Sequence, residues 1–186
     1  MKKLTIIILF LLSITAGYAQ NRFSFGVRAG YGYSSLTSYA GASYKPTVQI
    51  GILGELKLLK PFFVQAEVLY SNPGYKENDI FGNQININYN SIQIPIQAKI
   101  KFGKIVKPYY MLGLAPAVNF SGNGNNATTT ANLVNTLGFE IGLPKIAPFI
   151  DFRYTQGLTT FVPPSPYYNN SNYLNIQFVL SAGIKF

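Results

Sequence analysis

The chain contains no cysteine, no histidine and no tryptophan among its 186 residues, and only 11% of it is charged. Without cysteine there is no disulfide framework, no thiolate nucleophile and no Cys-ligated zinc site. Without histidine the commonest general base and the commonest transition-metal ligand are missing together. Acidic side chains are scarce as well, six against fifteen Lys and Arg, for a formal net charge of +9. Helical periodicity is also absent beyond the first twenty residues. What fills the chain instead is apolar residues at every second position, with 14 Tyr, 14 Phe and 17 Gly. That is the pattern of strands, not helices.

The first stretch, "MKKLTIIILFLLSITAGYAQ", has Lys2 and Lys3, an apolar run from Leu4 to Leu12, and small residues ending at Ala19. It reads as a secretory signal peptide over 1–19, cut after Ala19, with the mature chain from Gln20. The apolar run is too short to span a bilayer. No cysteine follows the cut, so a lipid anchor on cysteine is excluded. Export removes Lys2 and Lys3 and leaves 13 basic against 6 acidic side chains.

Eight alternating segments follow. In "FSFGVRAGYGY", Phe23, Phe25, Val27, Ala29, Tyr31 and Tyr33 share one face, opposite Ser24, Gly26, Arg28, Gly30 and Gly32. The pattern returns near 46–58, 62–71, 89–102, 108–120, 133–143, 148–157 and 173–186. The fifth segment contains Pro116 and is apolar on both faces, so its regularity is the least defined. Short turns, "LKP", "GKIVK" and "PKIA", join segments two to three, four to five and six to seven. The other connections, 34–45, 72–88, 121–132 and 158–172, are long and polar. An even count, up-and-down order, and turns on one side with loops on the other describe an all-β, eight-stranded antiparallel transmembrane barrel. Both termini then lie on the short-turn, periplasmic side.

The side that carries charge separates this from a soluble barrel. In a soluble barrel apolar side chains point inward; here strand charges share faces with glycines and amides, and the opposite faces are almost free of charge. Charge is costly toward lipid and tolerated in the lumen. Tyr31, Tyr33, Tyr70 and Tyr89 at the long-loop ends, and Phe23, Phe62, Phe102 and Phe186 at the other, form two expected aromatic belts.

Seven charged residues fall on inward faces: Arg28, Glu55, Glu67, Lys99, Glu140, Asp151 and Arg153. Counting from the short-turn ends sets Arg28 level with Glu67, and Lys99 level with Glu140 and Asp151. An eight-stranded barrel is just wide enough for side chains to fill it, so charges there must pair. The expected result is a salt-bridge network that plugs the lumen. A carboxylate pair such as Glu67 and Asp151 has no spacing that favours acid–base chemistry over pairing. No phosphate-binding glycine loop and no metal cluster is evident, so no catalysis, cofactor or metal is expected.

The remaining basic residues, Arg22, Lys57, Lys60, Lys101, Lys104, Lys107, Lys145 and Lys185, lie at or near the short turns. Such a ring suits phospholipid headgroups or acidic envelope polymers; nucleic acid has no access there. The final stretch, "YLNIQFVLSAGIKF", alternates to its last residue. Phe178, Leu180, Ile184 and Phe186 resemble the signal that the barrel-assembly machinery reads.

The stretches "FSFGVRAGYGYS", "FFVQAEVLYSNPGY", "SIQIPIQAKIKF", "KPYYMLGLAPAV", "FIDFRYTQGLT" and "LSAGIKF" together resemble the PorT-like outer-membrane β-barrel proteins of Gram-negative bacteria. Ile94–Pro95, "RYTQGL" at Arg153–Leu158 and the aromatic end carry most of the likeness. The resemblance implies an outer-membrane structural or accessory protein and supplies no catalytic motif; outer-membrane lipid, the assembly machinery during biogenesis and an envelope protein are the expected partners. Two other roles fit the same fold: a narrow passive channel for small solutes, and an adhesin-like barrel binding an external ligand through its Tyr-, Asn- and Ser-rich loops.

Overall fold

The computed structural model describes residues 22–37, 43–78, 84–121, 127–159 and 174–186. The signal-peptide reading at 1–19 and most of the long-loop tips lie outside the described residues. In chain order the strands are β1 (Phe23–Thr37), β2 (Lys45–Leu59), β3 (Phe62–Ser71), β4 (Gly74–Asn78) and β5 (Gln84–Gln93). Then come β6 (Ile96–Lys101), β7 (Val106–Ser121), β8 (Ala127–Ile141), β9 (Ala147–Gly157) and β10 (Leu174–Lys185).

β5 and β6 share one position in the wall, both between β3 and β7. β10 pairs with β1 from Lys185 opposite Gly26 to Leu174 opposite Thr37, which closes the sheet. The fold is therefore a closed, eight-stranded antiparallel barrel, all-β as expected. Closure leaves no unpaired edge for lipid to satisfy.

The fourth wall position differs from the single stretch expected over 89–102. Ile94–Pro95 interrupts it because proline has no N–H for the ladder. The Pro95 carbonyl still accepts the Glu67 N–H at 3.0 Å, and the Ile94 N–H donates to the Pro116 carbonyl at 2.9 Å. Register is kept across the gap. Against β3, Gln93 faces Leu69 and Ile96 faces Ala66; against β7, Gln93 faces Ala117 and Ile96 faces Leu114. β7 itself runs without a break through Pro116, which points outward.

Several strands outrun their expected ends. β1 continues to Thr37, and β8 begins at Ala127 inside the expected loop 121–132, where "ATTTA" supplies β-branched residues suited to strands. The connection expected as loop over 72–88 instead holds β4 and the start of β5, paired from Gly74 opposite Asn88 to Asn78 opposite Gln84. Length accounts for these extensions. Fifteen residues in β1 span roughly 50 Å at ~3.3 Å per residue, or about 38 Å upright at a tilt near 40°. That exceeds the ~25 Å apolar band of such barrels, so the far ends stand in water and no longer need apolar residues.

Within the band the faces are inverted relative to a soluble protein. Phe25 is 66% exposed, Ile52 61% and Leu137 59%, whereas Gln97 and Met111 are fully buried. No charged side chain of the described wall strands lies on the outward face. Phe23, Phe62, Phe102 and Phe186 are exposed at the short-turn end, as are Tyr31, Tyr33 and Tyr70 toward the other. Tyr89 is a correction to the expected belt. It is buried, because it shares the odd-numbered face of Ser91 and Gln93 and so points into the barrel. At the turn after β6, Gly103 takes a φ of 96°, a backbone conformation that side chains disfavour.

Candidate functional site

Period-two alternation sends one side chain in two into the lumen, and the stagger between strands then decides which of them meet. Two charge clusters result. In the upper one, the Arg28 guanidinium donates through Nη1 to both Glu67 oxygens, at 3.1 and 3.2 Å, and through Nη2 to Asp151 at 2.6 Å. Arg153 approaches Glu67 from the opposite wall, donating at 2.7 and 3.0 Å. It also donates to Gln97 at 3.1 Å and to the Thr136 hydroxyl at 3.3 Å. Gln65 donates to Glu67 at 2.6 Å and Tyr109 to Asp151 at 2.8 Å. Two cations and two anions balance, all 3% exposed or less.

The lower cluster lies toward the short turns. Glu55 accepts Lys99, Lys101 and Lys185 at 2.7 Å each. Glu140 accepts Lys101 at 3.1 Å and Lys185, with Lys99 at 3.9 Å and Lys107 at 3.7 Å. Gln65 joins the clusters, since its Oε1 accepts Lys99 at 3.1 Å while its amide holds Glu67. Tyr109 joins them again: Lys99 Nζ lies 3.8 Å from its ring centre and its hydroxyl reaches Asp151. Leu53, Met111 and Phe149 pack with Tyr109 as the apolar filling between them. Gly138 makes room for this arrangement: a Cβ there would come within 2.6 Å of both the Tyr109 ring and the Asp151 side chain.

The seven inward charges read from the sequence all point into the lumen, but their partners differ from the depth count. Asp151 does not join Lys99 and Glu140. It faces Gly138, whereas Glu140 faces Phe149, so Asp151 sits two residues deeper and meets Arg28. Lys101 and Lys185, assigned to the rim ring, reach inward to Glu55 and Glu140. Gln65, Gln97, Thr136 and Tyr109 carry no charge and went unmarked in the sequence; inward parity is the signal that could have found them.

Above the clusters the lumen is polar but uncharged. Gln49, Gln177, Thr47, Ser91 and Thr155 are buried there, and their side-chain polar atoms make no hydrogen bond among the described residues. The long-loop mouth narrows where the chain after β3 turns inward. The Ser34 hydroxyl donates to the Gly74 carbonyl at 2.7 Å and lies 2.9 Å from the Gly74 N–H, beside the fully buried Tyr75.

A closed barrel, apolar outside and charged within, needs lipid around it. Residues 18–186 match the family described as outer membrane protein beta-barrel domain. The chain belongs to this family. As an outer-membrane barrel, it turns its exposed Phe, Ile, Leu and Tyr side chains to lipid. Among solved structures it is similar to Neisserial surface protein A, at 18% identity and a TM-score of 0.56, covering 87% of this chain and 95% of that one. It is similar also to OprG from Pseudomonas aeruginosa, at 13% identity and a TM-score of 0.55, covering 89% and 96%. The outer membrane enzyme PagL shares the architecture at 11% identity and a TM-score of 0.53, covering 85% and 97%. At these identities the likeness is one of fold. No protein of curated function matches the sequence.

The enzyme among these neighbours makes the chemistry of the lumen the relevant question. Among the described residues no group of His, Cys, Asp and Glu is arranged to hold a metal ion. Glu67 and Asp151, the carboxylates nearest to an acid–base pair, are each engaged by arginine and a further donor.

Proposed function

We propose that this outer-membrane barrel is a non-catalytic scaffold or accessory component whose lumen is sealed. The supporting observation is the upper cluster, in which Arg28, Glu67, Asp151 and Arg153 bridge opposite walls with every carboxylate engaged. Catalysis needs a group free to exchange a proton or attack a substrate, and conduction needs a gap. Function then lies at the mouths, where loops or turns dock an envelope protein, in keeping with the PorT-like resemblance. On this reading the signal peptide directs export, the short turns face the periplasm, and the assembly machinery recognises Phe178, Leu180, Ile184 and Phe186.

The test is single-channel conductance of the refolded mature chain in a planar lipid bilayer. The parent, checked for folding by its heat-shifted gel mobility, is expected to be silent. Steady conductance by the parent would overturn the proposal. It would favour a second reading, a narrow solute channel, which the unpartnered amides and hydroxyls of the upper lumen support. Such buried groups are ordinarily satisfied by water.

A further inference from the structure

Below the lower cluster, the short-turn mouth encloses an open cavity of about 990 Å³. Eight basic side chains line it against two carboxylates, Glu55 and Glu140. Both carboxylates are already shared among the floor lysines Lys99, Lys101 and Lys185. Around the entrance stand Arg22, Lys57, Lys60, Lys104 and Lys145, none of which forms an ion pair among the described residues. Even a terminal carboxylate on Phe186 leaves a large positive excess. The walls between these groups include Phe63, Phe102, Leu143 and Ile146, and Lys101 Nζ lies 4.3 Å from the centre of the Phe63 ring.

A concave wall of low dielectric focuses the field of the charges it carries. Cations gathered there repel one another unless an anion sits among them. The volume lies at the upper end of small-molecule sites, roughly 300–1,000 Å³, so the cavity is larger than one inorganic oxyanion requires. We propose that this vestibule is a binding site for a ligand carrying several phosphate groups. Phosphate supplies more negative charge per unit volume than a carboxylate, which suits an excess of six cations over carboxylates confined to one cavity. Inward residues such as Ser24, Phe63 and Lys185 form its inner wall, so a soluble ligand entering along the barrel axis reaches the floor, whereas lipid headgroups ring the outside.

Sodium tripolyphosphate titrated calorimetrically into the refolded barrel in zwitterionic micelles tests this directly. Saturable binding at one site is expected, weakening steeply as salt screens the charges. Lys57→Gln/Lys104→Gln/Lys145→Gln alters only turn-end positions, and its folding is verified by heat-shifted gel mobility. It is expected to weaken binding about tenfold, the combined loss of three charges, those of Lys104 and Lys145 exposed and that of Lys57 half-buried. Lys45→Gln/Lys76→Gln, at the opposite end, is expected to bind like the parent. Heat that never saturates, a triple variant that binds like the parent, or an equal loss in the opposite-end variant would each overturn the site. Repeating the titration in nanodiscs of phosphatidylcholine with and without phosphatidylglycerol identifies the source of the phosphate. Undiminished binding supports a soluble ligand with several phosphates, whereas competition by phosphatidylglycerol, which carries one phosphate, assigns the vestibule to lipid headgroups and overturns the proposal.

Discussion

Glu67 receives both guanidinium groups of the lumen, Arg28 and Arg153, together with the amide of Gln65. Its position is set by β3, which brings it level with the Pro95 carbonyl that its own N–H bonds. Glu67→Ala leaves two buried cations with only Asp151 between them. Removing one partner of a buried ion pair costs roughly 3–5 kcal/mol, because the charge left behind is uncompensated. The expected outcome is a fall of that size in unfolding free energy for the chain in lipid vesicles. With no tryptophan present, denaturant titration followed by tyrosine fluorescence or gel mobility provides the measurement. A loss below about 1 kcal/mol, the range of exposed pairs, would mean that water solvates these groups and that the cluster is not sealed. At this scale the sequence discloses which way each side chain points, since parity alone decides that. It does not disclose partners: a stagger of two residues between β8 and β9 moves Asp151 from Lys99 to Arg28.

At the scale of the strand, the informative element is the one with proline in it. Pro95 and Pro116 each remove a donor at the same level of the wall, yet β5 and β6 keep one register against both neighbours. Side-chain alternation explains why. A slip of one residue would turn Gln93, Gln97 and Lys99 to lipid and Ile92, Ile96 and Ile100 inward. Because the chain lacks cysteine, paired cysteines report register without interference. Tyr70→Cys/Ile92→Cys and Ala66→Cys/Ile96→Cys lie on opposite sides of the proline, each joining residues that face one another. The Glu67–Pro95 hydrogen bond makes both flanking pairs the closer, non-hydrogen-bonded kind, within disulfide range. Both disulfides are expected to form on mild oxidation, read as a mobility shift reversed by reductant. Formation of one alone would place a register shift at Ile94–Pro95. The strands themselves were legible wherever they cross lipid, because there one face must be apolar. They were illegible beyond it: "QININYN" at Gln84–Asn90 alternates as cleanly as any wall strand, but its asparagines resemble loop composition, and β4 has no apolar face to announce it.

The barrel as a whole exists only when β10 meets β1, since every other pairing leaves an open sheet that lipid cannot satisfy. The seam runs to the final residue: the Phe186 N–H donates to the Phe25 carbonyl at 2.7 Å, and its carbonyl accepts the Phe25 N–H at 3.3 Å. The ring of Phe186, by contrast, is 66% exposed and adds little to the seam. Its two possible roles, structural member and assembly signal, therefore separate in one substitution. Phe186→Ala keeps both backbone bonds and removes only the exposed ring. Refolding into detergent, which needs no machinery, is expected to give the same stability within about 0.5 kcal/mol, as for other surface changes. Insertion in cells, measured as the heat-shifted fraction in the outer-membrane pool, is expected to fall several-fold. Equal losses in both settings would make the ring a structural element of the seam, and no loss in cells would remove Phe186 from any assembly signal.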